Sequence, residues 1–309
     1  MTPDTTPLRG SSSLESRITR VGVLGCGLMG SGIAQVAATA GFATVVRDVG
    51  EAFLAKGRSG IRRSLDKLVE KGKLDAGARE GALERLQFTT DLGALGACDL
   101  VIEAVTEDLQ VKNALWRELD TLCPPATIFA SNTSSLTIGE MASATARPDR
   151  FVGLHFFNPV PLMPLVEVVS AVTTSPETFD AAIAFARRVG KEPVVSRDRS
   201  GFIVNLLLVP YLLDAIRALE RGVGSIADID RGMQLGCGHP MGPFTLLDFV
   251  GLDTTARIAE IMFEEYREPR YAPPPLLRRM VTAGMHGRKT GRGFYDYATD
   301  PPRPSDPGL

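Results

Sequence analysis

A glycine spacing near the start of the chain limits its fold more than any other feature. Gly25-Cys-Gly27-Leu-Met-Gly30 fits the pattern G-x-G-x-x-G. It follows the apolar run Val21-Gly-Val-Leu-Gly25 directly. It also opens the segment 28–40, where small and apolar residues recur at helical spacing. A strand that turns on glycine into a helix begins a dinucleotide-binding βαβ unit. Gly25 permits the tight turn, Gly27 lets the backbone approach a pyrophosphate, and Gly30 lets helix and sheet pack closely. Leu28 and Met29 form the helix N-terminus, whose N–H groups and partial positive charge suit phosphates.

Asp48 follows the second strand, Ala43-Thr-Val-Val-Arg47, and lies 18 residues beyond Gly30. An acid there accepts hydrogen bonds from the adenosine ribose and repels a 2′-phosphate, which favours NAD. Arg47 beside it leaves NADP open. The plainer reading is a glycine-rich turn with a surface acid. The strand before the motif and the helix after it favour the dinucleotide.

Downstream, a charged amphipathic segment at about 51–86 breaks near Gly72 and Asp75 and reads as a helical arm. Strand patterns resume at 99–103, 127–130, 151–155, 165–169 and 193–196, with helical patterns at 109–121 and 176–189. This alternation predicts an α/β, Rossmann-like, mostly parallel sheet with helices on both faces. Beyond 197 the patterns are helical only, at 201–221, 225–234, 243–264 and 274–283. The expected organisation is a flexible tail at 1–19, a nucleotide-binding domain at 20–197 that includes the arm, and an all-α domain at 198–297. A tail at 298–309 follows, with four prolines from 301 onward. A chain of 309 residues has room for two domains.

Composition excludes several classes of function. With 34 Lys+Arg against 36 Asp+Glu, the net charge of −2 gives no overall field for nucleic acid. The most apolar run, 202–213, is too short to span a bilayer and carries Asn205 and Pro210. No membrane association is expected. The cysteines at 26, 98, 123 and 237 form no CxxC pair and no metal-ligand spacing. Four thiols at these spacings fit a reducing compartment such as the cytoplasm.

His155 ends an apolar strand, and ligands of open parallel sheets bind beyond strand carboxyl ends. A satisfied core histidine is the plain alternative. Glu167 argues for chemistry, because a carboxylate inside Pro164-Leu-Val-Glu-Val-Val169 is costly to bury unless paired. Paired with His155, it would fix the imidazole tautomer and leave the other ring nitrogen to take a hydroxyl proton. Asn158 is a polar neighbour in the following turn. Glu103 and Glu107 follow the strand at 99–103, and Lys112 lies on the next helix. Ser131-Asn-Thr-Ser-Ser135 can cap a helix or place Asn132 or Ser134 in the site. Asn205, a lone amide in an apolar helix, needs a partner.

Taken together, these phrases resemble the L-3-hydroxyacyl-CoA dehydrogenase family, and in particular its single-function 3-hydroxybutyryl-CoA dehydrogenase type. The resemblance spans about 20–297. It is carried by Gly25-Cys-Gly-Leu-Met-Gly-Ser-Gly-Ile-Ala34, Glu103-Ala-Val-Thr-Glu107, Ser131-Asn-Thr-Ser-Ser-Leu136 and Gly153-Leu-His-Phe-Phe-Asn-Pro-Val-Pro161. Gly201-Phe-Ile-Val-Asn205, His239-Pro-Met-Gly-Pro243 and Gly291-Arg-Gly-Phe-Tyr295 extend it.

The resemblance implies NAD-dependent oxidation of an L-3-hydroxyacyl-CoA, with a short-chain substrate such as 3-hydroxybutyryl-CoA. His155 would be the general base and Glu167 its partner. Ser134 and Asn205 would contact the acyl group. Asp48, Glu107, Lys112, Ser134, Asn158 and Lys289 would serve the cofactor region. Ser64 and Lys71, on the arm, would contact coenzyme A. The arm's Arg58, Arg62, Arg63, Lys67, Lys71 and Lys73 offer cations for phosphates, although a solvated helix explains most of them. Leu206 stands where the family often has arginine. A homodimer formed by the helical domain is implied, in the cytoplasm or, for a eukaryotic source, in the mitochondrial matrix. Two alternatives stand beside this reading: a dehydrogenase of a free hydroxy acid on the same scaffold, and a catalytically silent NAD-binding structural protein.

Overall fold

Residues 18–306 are described by a computed structural model. Residues 1–17, most of the expected N-terminal tail, lie outside the described residues, as do 307–309. The chain divides into two compact units at Asp198/Arg199.

The N-terminal unit opens with β1 (Arg20–Leu24), α1 (Leu28–Thr39) and β2 (Ala43–Arg47), followed by the arm helices α2 (Glu51–Glu70) and α3 (Ala76–Glu84). Then come β3 (Leu86–Thr89), β4 (Leu100–Glu103), α4 (Leu109–Leu122), β5 (Ile128–Ser131) and the short α5 (Ile138–Ala142). The unit closes with β6 (Phe151–Phe156), β7 (Leu165–Ser170), α6 (Pro176–Arg188) and β8 (Glu192–Arg197). The eight strands form one sheet in the order β3-β2-β1-β4-β5-β6-β7-β8. Neighbours are parallel except β6 and β7. β1, β4 and β5 are buried on both faces, which is why they read as unbroken apolar runs rather than alternating ones. α1, α2 and α6 bury Ile33, Ala37, Ile61, Leu65, Ala182 and Phe185 in a core shared with β1, β6 and β7.

The arm ends earlier than the sequence suggests. Leu86, expected in the helical arm, is the first residue of β3, which pairs in parallel with β2. The four residues Leu-Gln-Phe-Thr form an edge strand that is only partly buried, too short to show a period after so charged a helix.

The C-terminal unit contains α7 (Val204–Glu220), α8 (Ile226–Cys237), α9 (Pro243–Val250), α10 (Leu252–Tyr266) and α11 (Pro275–Thr282). The helix expected over 243–264 is two helices that meet at Gly251, whose φ is +102°. Leu213, Ile216, Phe244, Leu247, Ala259 and Leu277 form this unit's core. The unit is not wholly helical: β9 (Tyr295–Asp296) pairs antiparallel with β10 (Arg303–Pro304). Residues 303–304, expected in a free tail, are therefore held by the chain. No helix among the described residues is long and apolar enough to cross a membrane.

Candidate active site

The glycine turn is built as its spacing demands. Gly25 has φ +93°, a conformation that L side chains rarely adopt, and a Cβ on it would lie 2.6 Å from the Ala104 carbonyl oxygen. A Cβ on Gly30 would lie 1.9 Å from the Gly25 oxygen, so helix and turn touch through this residue. Gly27 differs: nothing lies within 4 Å of the place a Cβ would take. It is the N-cap of α1 and offers no side-chain cap to the first-turn N–H groups beyond it. Open space in front of uncapped donors fits a pyrophosphate. Asp48 is fixed beside the turn, its Oδ2 accepting from the Cys26 N–H at 2.6 Å and its Oδ1 from the Val49 N–H at 2.7 Å. Arg47 donates through Nε to the Thr90 carbonyl at 3.3 Å, which ties it to the loop after β3. The Cys26 thiol is pushed up to about 11 by burial and then by the charge of Asp48, so it is protonated at neutral pH.

The sheet register brings the other polar residues to the same carboxyl edge. Leu24 pairs with Glu103, Glu103 with Ser131, and Ser131 with Gly153. His155 lies two residues beyond Gly153 on β6. Because β7 returns antiparallel, Glu167 falls directly opposite His155. The His155 Nδ1 and Glu167 Oε2 are 2.7 Å apart, with the two residues 4% and 0% exposed. The Phe157 ring packs 4.5 Å from the imidazole. Asn132 accepts at Oδ1 from the Phe156 N–H at 2.9 Å, which fixes the end of the histidine strand. The pair thus has what an oriented base needs: a buried carboxylate on one ring nitrogen and a rigid strand beneath.

Lys112 joins Glu103 and Glu107 at this edge. It is 1% exposed, with Nζ 2.6 Å from Glu103 Oε1 and 3.2 Å from Glu107 Oε2. Asp108 N-caps α4 through the Gln110 and Val111 N–H groups and so aims the first turn at these acids. Glu103 also accepts from the Ser131 hydroxyl at 2.6 Å. Glu107 accepts from the Ser134 N–H at 3.0 Å, the Ser135 hydroxyl at 3.1 Å and the Thr133 hydroxyl. The hydroxyl run after β5 therefore holds Glu107 rather than capping α5. Asp198 takes the capping role, accepting from the Ile138 and Gly139 N–H groups at 2.7 Å each. Burial alone would raise the Glu107 pKa, but Lys112 and the donors from Thr133 and Ser134 outweigh it and hold the carboxyl below its usual range. Burial would lower Lys112, and Glu103 and Glu107 together hold it above its usual range.

Asn158 is exposed in the turn after β6. Ser64 and Lys71 line a groove of ≈ 600 Å³ with Pro159 and Leu162 of that turn. In the C-terminal unit, Asn205 lies half-buried in the first turn of α7. Lys289 donates to Asp253 at 2.6 Å, so its ammonium already has a carboxylate partner. Sequence patterns gave no sign of Asp198, or of Lys191, whose buried ammonium binds the turn carbonyls of Val160 and Met163. Both lie far along the chain from the groups they hold.

A Rossmann-like sheet with this turn, this acid and this edge defines the class of NAD-dependent oxidoreductases. Residues 20–199 match the family model of the 3-hydroxyacyl-CoA dehydrogenase NAD binding domain, and 201–297 that of the 3-hydroxyacyl-CoA dehydrogenase C-terminal domain. The chain belongs to the 3-hydroxyacyl-CoA dehydrogenase family. It is 51% identical over 286 residues to a 3-hydroxybutyryl-CoA dehydrogenase of Mycobacterium tuberculosis, across 92% of this chain and 100% of that one. It is 50% identical over 287 residues to a mitochondrial hydroxyacyl-coenzyme A dehydrogenase of Homo sapiens, across 91% of each. The crystal structure of an (S)-3-hydroxybutyryl-CoA dehydrogenase from Ralstonia eutropha shares the fold with a TM-score of 0.87 at 43% identity. That match covers 91% of this chain and 100% of the other.

Proposed function

We propose that the protein interconverts a short-chain L-3-hydroxyacyl-CoA, such as 3-hydroxybutyryl-CoA, and its 3-ketoacyl-CoA, using NAD and a His155–Glu167 general-base pair. The observation that carries this reading is the 2.7 Å contact between two buried groups in direct register at the carboxyl edge of the sheet. In the oxidation, His155 Nε2 takes the substrate hydroxyl proton. Glu167, bound to Nδ1, stabilises the imidazolium that results. Bound NAD supplies the acceptor for the hydride that leaves C3. Gly25, Gly27, Leu28, Met29 and Gly30 hold the pyrophosphate, and Asp48 holds the adenosine ribose. Glu107, set by Lys112, orders the Ser134 backbone beside the reacting carbon, and Asn158 lines the nicotinamide region. Asn205 keeps the acyl-group role and Lys289 the cofactor role that the family resemblance gives them. Ser64 and Lys71 take the coenzyme A arm, a role supported by the groove they share with Pro159 and Leu162. The working form is a homodimer. Three buried cysteines and one exposed one, all unpaired, support a reducing compartment.

The test is a panel of 3-ketoacyl-CoA thioesters of increasing chain length, with acetoacetate as the free acid, each assayed with NADH and with NADPH. The expected result is highest kcat/KM for acetoacetyl-CoA with NADH. A preference for the free acid would overturn the substrate reading, and a preference for NADPH would overturn the role of Asp48.

A further inference from the structure

The strands of His155 and Glu167 are joined by the connection 157–164, which runs from the end of β6 to the start of β7. It is too long for a tight hairpin turn, so its backbone groups need partners of their own. The Leu162 and Met163 N–H groups both donate to the Pro159 carbonyl, at 2.9 and 3.0 Å. The carbonyls of Val160 and Met163 are taken by Lys191, whose Nζ donates to them at 2.5 and 2.8 Å. Lys191 lies between α6 and β8, and the next residue, Glu192, donates its N–H to the Pro164 carbonyl at 2.7 Å. From α1, Gly32 meets the same turn: a Cβ on it would lie 2.8 Å from the Val160 Cβ.

Lys191 is 8% exposed, and no carboxylate among the described residues pairs with it. Burial holds its pKa below the usual range. A buried cation without a counter-charge lowers stability, so its presence calls for a reason. Charge-assisted bonds from one ammonium to two carbonyls of one turn hold that turn rigidly. The residues leading into the turn give the rigidity a use. The Phe157 ring packs 4.5 Å from the His155 imidazole, and the exposed Asn158 follows it. Asn132 fixes the near end of this stretch by accepting from the Phe156 N–H at 2.9 Å. Lys191 fixes the far end at Val160.

We infer that Lys191 is a positioning residue for the reaction centre: by clamping the turn at Val160 and Met163, it holds Phe157 against the His155 imidazole and Asn158 beside the nicotinamide. Glu167 holds the imidazole at Nδ1, and the packed Phe157 ring limits its rotation, so Nε2 stays aimed at one point. A misplacement of about 1 Å at such a centre can lower the rate by roughly 10²-fold. The inference rests on the proposed dehydrogenase activity where it concerns Asn158, whereas the Phe157 contact stands on geometry alone.

Lys191→Met keeps the apolar stem and removes the donors. Its kcat with acetoacetyl-CoA and NADH should fall by roughly 10–10²-fold. Its calorimetric NADH affinity, set by the glycine turn and Asp48, should stay near the wild-type value. In a background already carrying Phe157→Leu and Asn158→Ala, the same substitution should lower kcat little further, because the groups it positions are gone. A wild-type kcat in Lys191→Met, or an equal loss in both backgrounds, overturns the inference. Gly32→Ala pushes on Val160 from α1 and should show the same dependence on background, which keeps the test open if Lys191→Met does not fold. Proton NMR reads the geometry directly. The chain has three histidines, so the His155 ring signals are identified by their loss in His155→Gln. The ring current of Phe157 should displace them, and Phe157→Leu and Lys191→Met should move them in the same direction. A His155 signal left in place by Lys191→Met overturns the inference. This readout needs no turnover: a wild type inactive on acetoacetyl-CoA would overturn the proposed function, while the hold of Lys191 on Phe157 is still tested.

Discussion

The three glycines of the nucleotide turn do different work, and single substitutions should separate them. Gly30→Ala places a methyl 1.9 Å from the Gly25 oxygen, where neither backbone can give way cheaply. That variant should lose stability, seen as an earlier thermal transition without any ligand. Gly27 has φ −72°, within reach of any residue, and open space at its Cβ position. Gly27→Ala should therefore melt like wild type while its NAD affinity falls, because the new methyl enters the open space proposed for the pyrophosphate. Equal melting of both variants would refute this division. At the reacting end, His155→Gln should keep NAD binding, measured by calorimetry, and lower kcat by roughly 10²–10⁴-fold, the usual contribution of a general base. Near-normal turnover would remove His155 from the mechanism. Much of this detail was legible before the structure. Glu167 announced itself as a charge inside an apolar strand. The direct pairing with His155 needed the antiparallel return of β7, which no local pattern specifies.

At the scale of elements, the carboxyl ends of β4 and β5 and the first turn of α4 are tied by one buried ionic cluster. Glu103, Lys112 and Glu107 form it, and Ser131 and the following hydroxyls complete it. Lys112→Met leaves Glu103 buried without its cation, a change that costs about 3–5 kcal/mol in comparable pairs. Chemical denaturation should show that loss, and an unchanged midpoint would mean the cluster carries no stability. The pH dependence follows from the two shifts. Glu107 is held below its ordinary value of 4.5, so its contribution is present above that pH and lost as pH falls through the lowered value. Lys112 is held above its ordinary 10.5, so its contribution is present below that pH and lost as pH rises through the raised value. The cluster should therefore add a flat plateau between these limits, readable as the difference between wild type and Lys112→Met across pH. The sequence places Glu103, Glu107 and Lys112 close together after one strand, but gives no sign that Lys112 is buried. Its burial depends on how α4 lies on the sheet, and spacing along the chain does not encode that. Strands covered on both faces were legible as apolar runs, whereas β3 and the β9–β10 pair were missed. Two to four half-exposed residues carry too little periodicity to stand out.

For the molecule as a whole, the helical unit leaves a set of large apolar side chains in water. Leu207 on α7 and Leu235 on α8 are 65% and 68% exposed, and Phe249 and Val250 at the end of α9 are 41% and 38% exposed. Single exposed leucines are ordinary, so the weight lies in their number on consecutive helices of one unit. Burying a large apolar side chain fully is worth roughly 1.5–3 kcal/mol. Several such residues, within an interface of about 800 Å² per partner, are enough to hold a stable pair. The proposed homodimer would use this surface. Light scattering should then give a mass near twice 33.1 kDa at micromolar concentration. Leu207→Glu and Leu235→Glu point a carboxylate from exposed positions, so neither should disturb the fold of the isolated chain. Each should lower the mass toward 33.1 kDa if its side chain is covered in the pair. A wild-type mass of 33.1 kDa would refute the dimer outright. A dimeric mass unchanged in both variants would move the interface away from α7 and α8.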